Sequence, residues 1–562
     1  MNNNKYLETA SPATIKNWDR LKIEDTSQKF TSFANKKLSQ KNILPKEMFT
    51  NKNNIEFISK FVANVNGNYE IKDIIYSVGL NLLSNNPHLK KIQRMESFKT
   101  IEWIANTVFP EENDLLGIIY QALLTEGERN VKGSYFTSPN VVEQLVQDLV
   151  ISSTDKILDP ACGSLNFLLG IKNISPEQIY ACDSDEICVL ISKIKYYLAF
   201  PDTNVEPKIY LTDYLQESLY SQDVVENIRN NSFDLIITNP PWGGKTTAKD
   251  DRIKSKETYS IFLTKSYDNL SSEGKLLFLL PQSILKIKTH MDIRNFLLSQ
   301  TNLLSIKTLD SKFSGVMTDS IWLITSKSGF QSNIKINKDY IPKDYFINQP
   351  NMIISIINEF EKQILHQYEL LSKKNLNNSI FALGIVTGDN KNKLFSEQIV
   401  DSEPIYTGKE VSPYKLMTAK KYIIYDRKNF QQVAKDEYYR APEKLIYKFI
   451  SKKLSFSYDN QQSLVLNSAN ILIPKVEGLT IINVMGFLNS KLFQFVYHKI
   501  FGDMKILKGN LLNLKFPLIT QEQSSEFDRI ITTGKQELID DYVFNLYNLT
   551  DNQINYILEE IN

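Results

Sequence analysis

The feature that most constrains this chain is an alternation between residues 156 and 326. Short β-branched or aliphatic runs at 156–159, 179–182, 208–211, 234–238, 275–280 and 320–325 are separated by longer stretches with helical spacing. That alternation is the signature of an α/β sheet built by βαβ crossovers. Residues 1–130 are polar and Asn/Lys-rich, with apolar residues at helical spacing (Ile101, Ile104, Ala105, Val108, then Leu115, Leu116, Ile119, Tyr120, Leu123), which predicts a helical N-terminal domain. The α/β domain is expected over 131–330 and a helical connector over 331–377, with one amphipathic helix near 353–371. Residues 378–562 mix short strands, turns and helices and are expected to form an α+β domain.

Length alone asks for more than one domain in 562 residues, and 42% hydrophobic content excludes a disordered or fibrous chain. The three cysteines, Cys162, Cys182 and Cys188, have no CxxC spacing and the four histidines are scattered singly, so neither a disulfide framework nor a metal centre is expected. No apolar run approaches the roughly 20 residues of a membrane span, and the start MNNNKYLETASP has no apolar core of a leader. A cytoplasmic protein without a membrane partner is expected. With Lys+Arg 65 against Asp+Glu 64 the net charge is +1, which can still hide a basic face.

Asn239-Pro240-Pro241-Trp242 directly follows the run at 233–238. In an open α/β sheet ligands bind at the carboxyl ends of the strands, so a rigid tetrapeptide there is placed for chemistry. Two prolines fix φ and remove two N–H donors, leaving the Asn239 side-chain oxygen and the Pro240 carbonyl as adjacent acceptors able to hold one NH2 group. The Trp242 ring can stack on the ring that carries it. Upstream, Asp159-Pro160-Ala161-Cys162-Gly163-Ser164-Leu165-Asn166 forms a Gly-containing strand-to-helix turn headed by a carboxylate. Asp183 ends the next strand, 24 residues after Asp159, near the spacing of an acid that accepts from ribose hydroxyls, and Asp213 ends the third. Three acids at one sheet edge point to a nucleoside pocket, although each alone is more often a helix N-cap. Neither GxGxxG nor GxxxxGK[ST] is present, which counts against nicotinamide and nucleoside-triphosphate sites. Before the first strand stands 133–139, GSYFTSP, itself readable as a plain helix entry.

Together GSYFTSP, DPACGS, the acids Asp183 and Asp213, and NPPW resemble, in this order, the motifs of the gamma class of S-adenosylmethionine-dependent DNA adenine-N6 methyltransferases of restriction–modification systems. The resemblance spans 115–326 and extends through Glu257-Thr258-Tyr259, Glu273-Gly274-Lys275 and Pro281-Gln282-Ser283. It implies a Rossmann-like methyltransferase core in which Tyr135, Phe136, Thr137, Asp159, Ala161, Gly163, Asn166, Asp183 and Asp213 hold S-adenosyl-L-methionine. Tyr135, Phe136, Thr137 and Asp159 would face its methionine end, Asp183 its ribose and Asp213 its adenine amino group. It further implies that Asn239, Pro240, Pro241 and Trp242 carry catalysis, with Trp242 and Phe313 stacking on a flipped adenine. Where the family mostly has a small residue, this chain has Leu165.

The counts at 401–460 are 10 Lys and 2 Arg against 8 acids, and at 486–516, 5 Lys against 1 Asp, with Tyr and Phe interleaved. This suits phosphate contacts, and equally a solvated face. Residues 384–388, 408–411, 487–491 and 507–510 resemble the target-recognition domain that ends many such enzymes. The expected function is sequence-specific adenine-N6 methylation of double-stranded DNA, with any restriction endonuclease encoded separately. The alternatives are a type I modification subunit that borrows a separate specificity subunit, and a non-catalytic DNA-binding relic.

Overall fold

The computed structural model describes residues 42, 44–95, 97–125, 127–129, 135–243, 246–255, 257–309, 319–502 and 505–561. They form two compact units that divide after Ile354.

The first unit is built on a nine-stranded sheet: β1 (Ile157–Asp159), β2 (Ile179–Asp183), β3 (Lys208–Leu211), β4 (Phe233–Thr238), β5 (Leu270–Pro281), β6 (Asn302–Leu309), β7 (Ser320–Ser326), β8 (Asn333–Ile336) and β9 (Asp339–Pro342). Their spatial order is β3-β2-β1-β4-β5-β7-β6-β8-β9. Pairing is parallel from β3 to β5, and β7 then runs antiparallel between β5 and β6. Helices cover both faces of such a sheet, so β1 and β2 are buried nearly throughout and read in sequence as continuous apolar runs. The strand order reverses between β1 and β4, and a crevice opens there at the carboxyl ends. The expected α/β, Rossmann-like core is present.

Three strands escaped the sequence reading. Along β6 burial does not alternate, because the register to β7 shifts between Leu303 and Ser305 and the bulge breaks the period. The expected helical connector at 331–377 begins instead with the β8–β9 hairpin, which pairs through β8 with β6. Its turn contains Asn337 at φ 53°, a left-handed conformation that asparagine tolerates. Helical structure in that stretch is confined to the short helix Lys343–Ile347, a single 3-10 turn at Pro350–Met352 and the helix Glu359–Leu371.

The described N-terminal residues are helical as expected, with helices at Asn54–Val65, Ile71–Leu82, Leu89–Gln93, Glu102–Ala105 and Leu115–Leu123. They share one hydrophobic core with the sheet, running from Met48 through Ile74 and Ile118 to Ile157, Ile237 and Trp322. Every residue of Leu115–Leu123 is buried. Val108 departs from the expected apolar face. The Asn106 amide and the Thr107 hydroxyl bond back to Glu102 and Trp103 and end the helix, leaving Val108 exposed.

The second unit mixes α and β, also as expected. Its five-stranded sheet orders Ile380–Leu383, Ala469–Ile473, Lys444–Lys448, Phe456–Asp459 and Tyr414–Lys415. A three-stranded sheet orders Lys421–Ile424, Ser402–Tyr406 and Leu464–Val465. A buried cluster including Ile405, Ile423, Ile446 and Ile471 joins these strands. Helices Ile481–Asn489, Lys491–Ile500, Gln521–Thr532, Gln536–Leu546 and Asp551–Ile561 complete the unit. Among the described residues no helix is long and apolar enough to cross a membrane.

Candidate active site

A cavity of about 730 Å³ occupies the crevice at the carboxyl ends of β1 to β4. Its wall includes Tyr135, Phe136, Thr137, Asp159, Ala161, Gly163, Asn166, Asp183 and Asp213, so the residues expected to bind cofactor converge from four separate chain segments on one cavity. Asn239 and Pro241 also line it, whereas Pro240 and Trp242 do not. Pro240 is buried, and Trp242 is half-buried with its ring packed on the hydrophobic core. Phe313, Gly133 and Ser134 lie outside the described residues.

The turn after β1 is shaped by its own backbone bonds. Asp159 accepts from the Ala161 N–H at 3.1 Å, and the Leu165 N–H closes on the Cys162 carbonyl at 2.7 Å. Gly163 sits at φ 52°, and a Cβ there would come within 2.9 Å of the Phe136 ring, so only glycine keeps both the turn and the ring in place. Its N–H donates to Asp183 Oδ2 at 2.9 Å, which ties this turn to the end of β2. Leu165 also takes a left-handed conformation, φ 63° and ψ 15°, and its side chain is fully buried in the core rather than on the cavity wall. The bulk that distinguishes this chain therefore points away from the site.

Charge on the wall is mostly negative. Asp159 is buried, and that burial, with Asp183 as a nearby like charge, pushes its carboxyl up to about 7 against the opposing pull of its hydrogen bonds. Asp213, on the cavity wall, accepts from the Leu215 N–H on one oxygen and from Gln216 Nε2 on the other, an Asx-type turn. Asp185, which the sequence reading passed over, caps the helix Glu186–Ala199 through the Ile187 N–H and accepts from the Tyr120 hydroxyl at 2.5 Å. Glu186, Leu215 and Phe262 are further wall residues that were missed, each just beyond a recognised motif or on the helix that follows it, and Thr258, inside the recognised Glu257-Thr258-Tyr259 stretch, was given no site role. Thr246 and Thr247 belong to the strap after the Asn-Pro-Pro-Trp loop, and Arg252 fastens that strap by forking onto Asp250 and Asp268.

Asn239 is held in one orientation. Its Nδ2 donates to the Tyr135 carbonyl at 3.0 Å and to Thr137 Oγ1 at 3.2 Å. A carbonyl can only accept, so the amide nitrogen must face Tyr135, and Oδ1 is left buried with no hydrogen-bond partner among the described residues. An orphaned buried acceptor is costly, and one beside a cavity is a place prepared for a donor.

A sheet of this order, with an acid-lined crevice and an Asn-Pro-Pro-Trp loop after β4, defines a methyltransferase domain. Residues 111–336 match the family model described as N-6 DNA Methylase, and residues 403–515 match that of the TaqI-like C-terminal specificity domain. The Type II methyltransferase M.VspI of Vibrio sp. (strain 343) is 27% identical over 329 residues, covering 55% of this chain and 77% of that protein. The Type I restriction enzyme EcoEI methylase subunit of Escherichia coli is 24% identical over 241 residues, 38% of this chain and less than half, 46%, of its own length. A solved structure of the Type IIL restriction–modification enzyme MmeI in complex with DNA shares the fold, with a TM-score of 0.56, 13% identity, and coverage of 99% of this chain and 98% of that one. The chain is thus a DNA adenine-N6 methyltransferase related to those of restriction–modification systems, with a specificity domain in the same polypeptide.

Proposed function

We propose that the chain transfers a methyl group from S-adenosyl-L-methionine to N6 of an adenine that its specificity domain selects within double-stranded DNA. The observation that carries the reading is the unpartnered Asn239 Oδ1. The exocyclic N6 is a poor nucleophile because its lone pair is delocalised into the ring. Accepting its two hydrogens at Asn239 Oδ1 and the Pro240 carbonyl favours a pyramidal nitrogen with that lone pair free for attack. Preorganised acceptors of this kind need no strong base.

The wall fits the cofactor: the cradle at Gly163 stays open only without a Cβ, and acids stand at the ends of three successive strands. When bound, the cofactor supplies a methyl group activated by its sulfonium. Asp159 and Tyr135 to Thr137 would hold its methionine end, Asp183 its ribose hydroxyls and Asp213 its adenine amino group, with Ala161, Gly163 and Asn166 lining its path. The target base has to leave the duplex to reach a sheet-edge cavity, and Trp242 and Phe313 are its proposed stacking partners; for Trp242, whose ring packs on the hydrophobic core off the cavity wall, that role requires the ring to turn. The specificity domain at 403–515 favours recognition by this chain itself over dependence on a separate specificity subunit. We assign it to the cytoplasm, as the modification half of a restriction–modification pair whose endonuclease is a separate protein.

The test is single-molecule sequencing of DNA from a methylation-free host that expresses the chain. N6-methyladenine in one sequence context is expected from the wild type, and a loss of at least about 100-fold from Asn239→Ala. An Asn239→Ala protein that methylates as fast as wild type overturns the assignment.

A further inference from the structure

Asp114 immediately precedes the helix Leu115–Leu123, where an aspartate ordinarily caps the first turn. It makes no such cap. Its side chain is fully buried and turned inward, accepting from Lys195 Nζ at 2.7 Å on one oxygen, and from Ser164 Oγ at 2.8 Å and Asn166 Nδ2 at 2.7 Å on the other. Lys195 also donates to Asn166 Oδ1. Gly117 leaves room for this arrangement, since a Cβ there would lie 2.4 Å from the Asp114 carboxylate. The cost of burying this charge is offset by the Lys195 ammonium and the hydrogen bonds from Ser164 and Asn166, which join residues distant in the sequence.

What it organises can be followed bond by bond. The second hydrogen of Asn166 Nδ2 goes to the Thr137 carbonyl at 2.9 Å. Thr137 Oγ1 and the Tyr135 carbonyl in turn receive the Asn239 amide. Residues 135–137 are therefore gripped from one side by the Asp114–Lys195–Asn166 cluster and grip Asn239 from the other. We propose that Asp114, a residue of the N-terminal helical region, is a positioning residue for methyl transfer, keeping the Asn239 carbonyl turned toward the target amino group through Asn166 and Thr137. The proposal rests on the adenine-N6 reading of Asn239 given above. It also gives the N-terminal helices a role in the reaction: they hold one end of the chain of hydrogen bonds that fixes the acceptor.

Asp114→Asn keeps the shape and disturbs the bonding, because its amide nitrogen faces donors. Single-turnover methylation of cognate DNA at saturating cofactor is expected to slow by about tenfold or more. Affinity for S-adenosylhomocysteine, measured by calorimetry, and the fluorescence of 2-aminopurine at the target position are expected to change less than about threefold. The decisive comparison repeats the substitution in an Asn239→Ala background, with radiolabelled cofactor to read residual transfer. If Asp114 acts through Asn239, the second substitution adds little to the first. Equal slowing in both backgrounds, or a loss confined to cofactor affinity and melting temperature, overturns the proposal. The charge-neutral pair Asp114→Asn/Lys195→Met leaves no uncompensated buried charge and carries the same expectation if the single variant folds poorly. Wild type assayed in parallel separates the two readings: active wild type with an equally active Asp114→Asn sinks only the positioning role, and inactive wild type sinks both.

Discussion

Asn239 is oriented by what it donates, and the neighbouring carboxylate is tuned by what surrounds it. Burial pushes the Asp159 carboxyl up to about 7, so in the cofactor-free protein it is neutral below that pH and charged above it. A cofactor ammonium binds the charged form. Affinity is therefore expected to fall as pH drops through 7, approaching tenfold per pH unit on the acid side, and to level off above about pH 8. Calorimetry at pH 6 and pH 8 checks this, and Asp159→Asn is expected to remove the pH dependence along with much of the affinity. The sign for stability is opposite. Because the native carboxyl titrates above its unfolded value of about 3.9, the folded state binds more protons between about pH 4 and 7, so the Asp159 contribution declines as pH rises through that window. Leu165 poses a different balance. Its left-handed backbone costs about 1–2 kcal/mol, while burying its side chain stabilises by about 2–3 kcal/mol before any cavity is counted. Leu165→Gly relieves the first and loses the second, so a melting temperature lower by a few degrees is expected, with cofactor affinity changed less than about twofold because Leu165 is off the cavity wall.

Among elements, the turns after β1 and β4 were legible in sequence because their chemistry is local. A Gly-containing turn headed by an acid and a Pro-Pro loop after an apolar run each mark a strand end, and the structure brings both turns to one cavity. β6, β8 and β9 were not legible, since a bulge and a hairpin on a sheet edge are decided by the strand they pair with. The basic stretch at 401–460 needed the same correction from tertiary structure. Arg427, Lys435, Arg440 and Lys444 are paired within the protein to Asp436, Glu437, Glu403 and Asp459, and Lys444 is fully buried. Lys420 and Lys421 are exposed and figure in no ion pair among the described residues. If such lysines meet phosphate, Lys420→Ala/Lys421→Ala weakens binding of cognate and unrelated DNA alike and lowers the slope of log K against log salt by about 2. Fluorescence anisotropy across a salt series measures it; an unchanged slope assigns these residues to the solvated face.

At the scale of the whole molecule, one polypeptide joins a methylase domain to a specificity domain. Purified chain alone is accordingly expected to methylate one sequence context in vitro, at a rate that adding a host extract does not raise. Methylation that appears only with a second polypeptide favours the type I alternative. Sequence by itself determined the α/β class, the crevice and its acids, because strand ends, turns and adjacent motifs are written in short contiguous stretches. It did not reveal the cluster behind the crevice. Asp114 is 50 residues from Ser164, 52 from Asn166 and 81 from Lys195, and read alone it is an ordinary helix cap. Only the packing of the N-terminal helices on the sheet turned that carboxylate inward, because a buried charge must find its donors wherever the fold brings them.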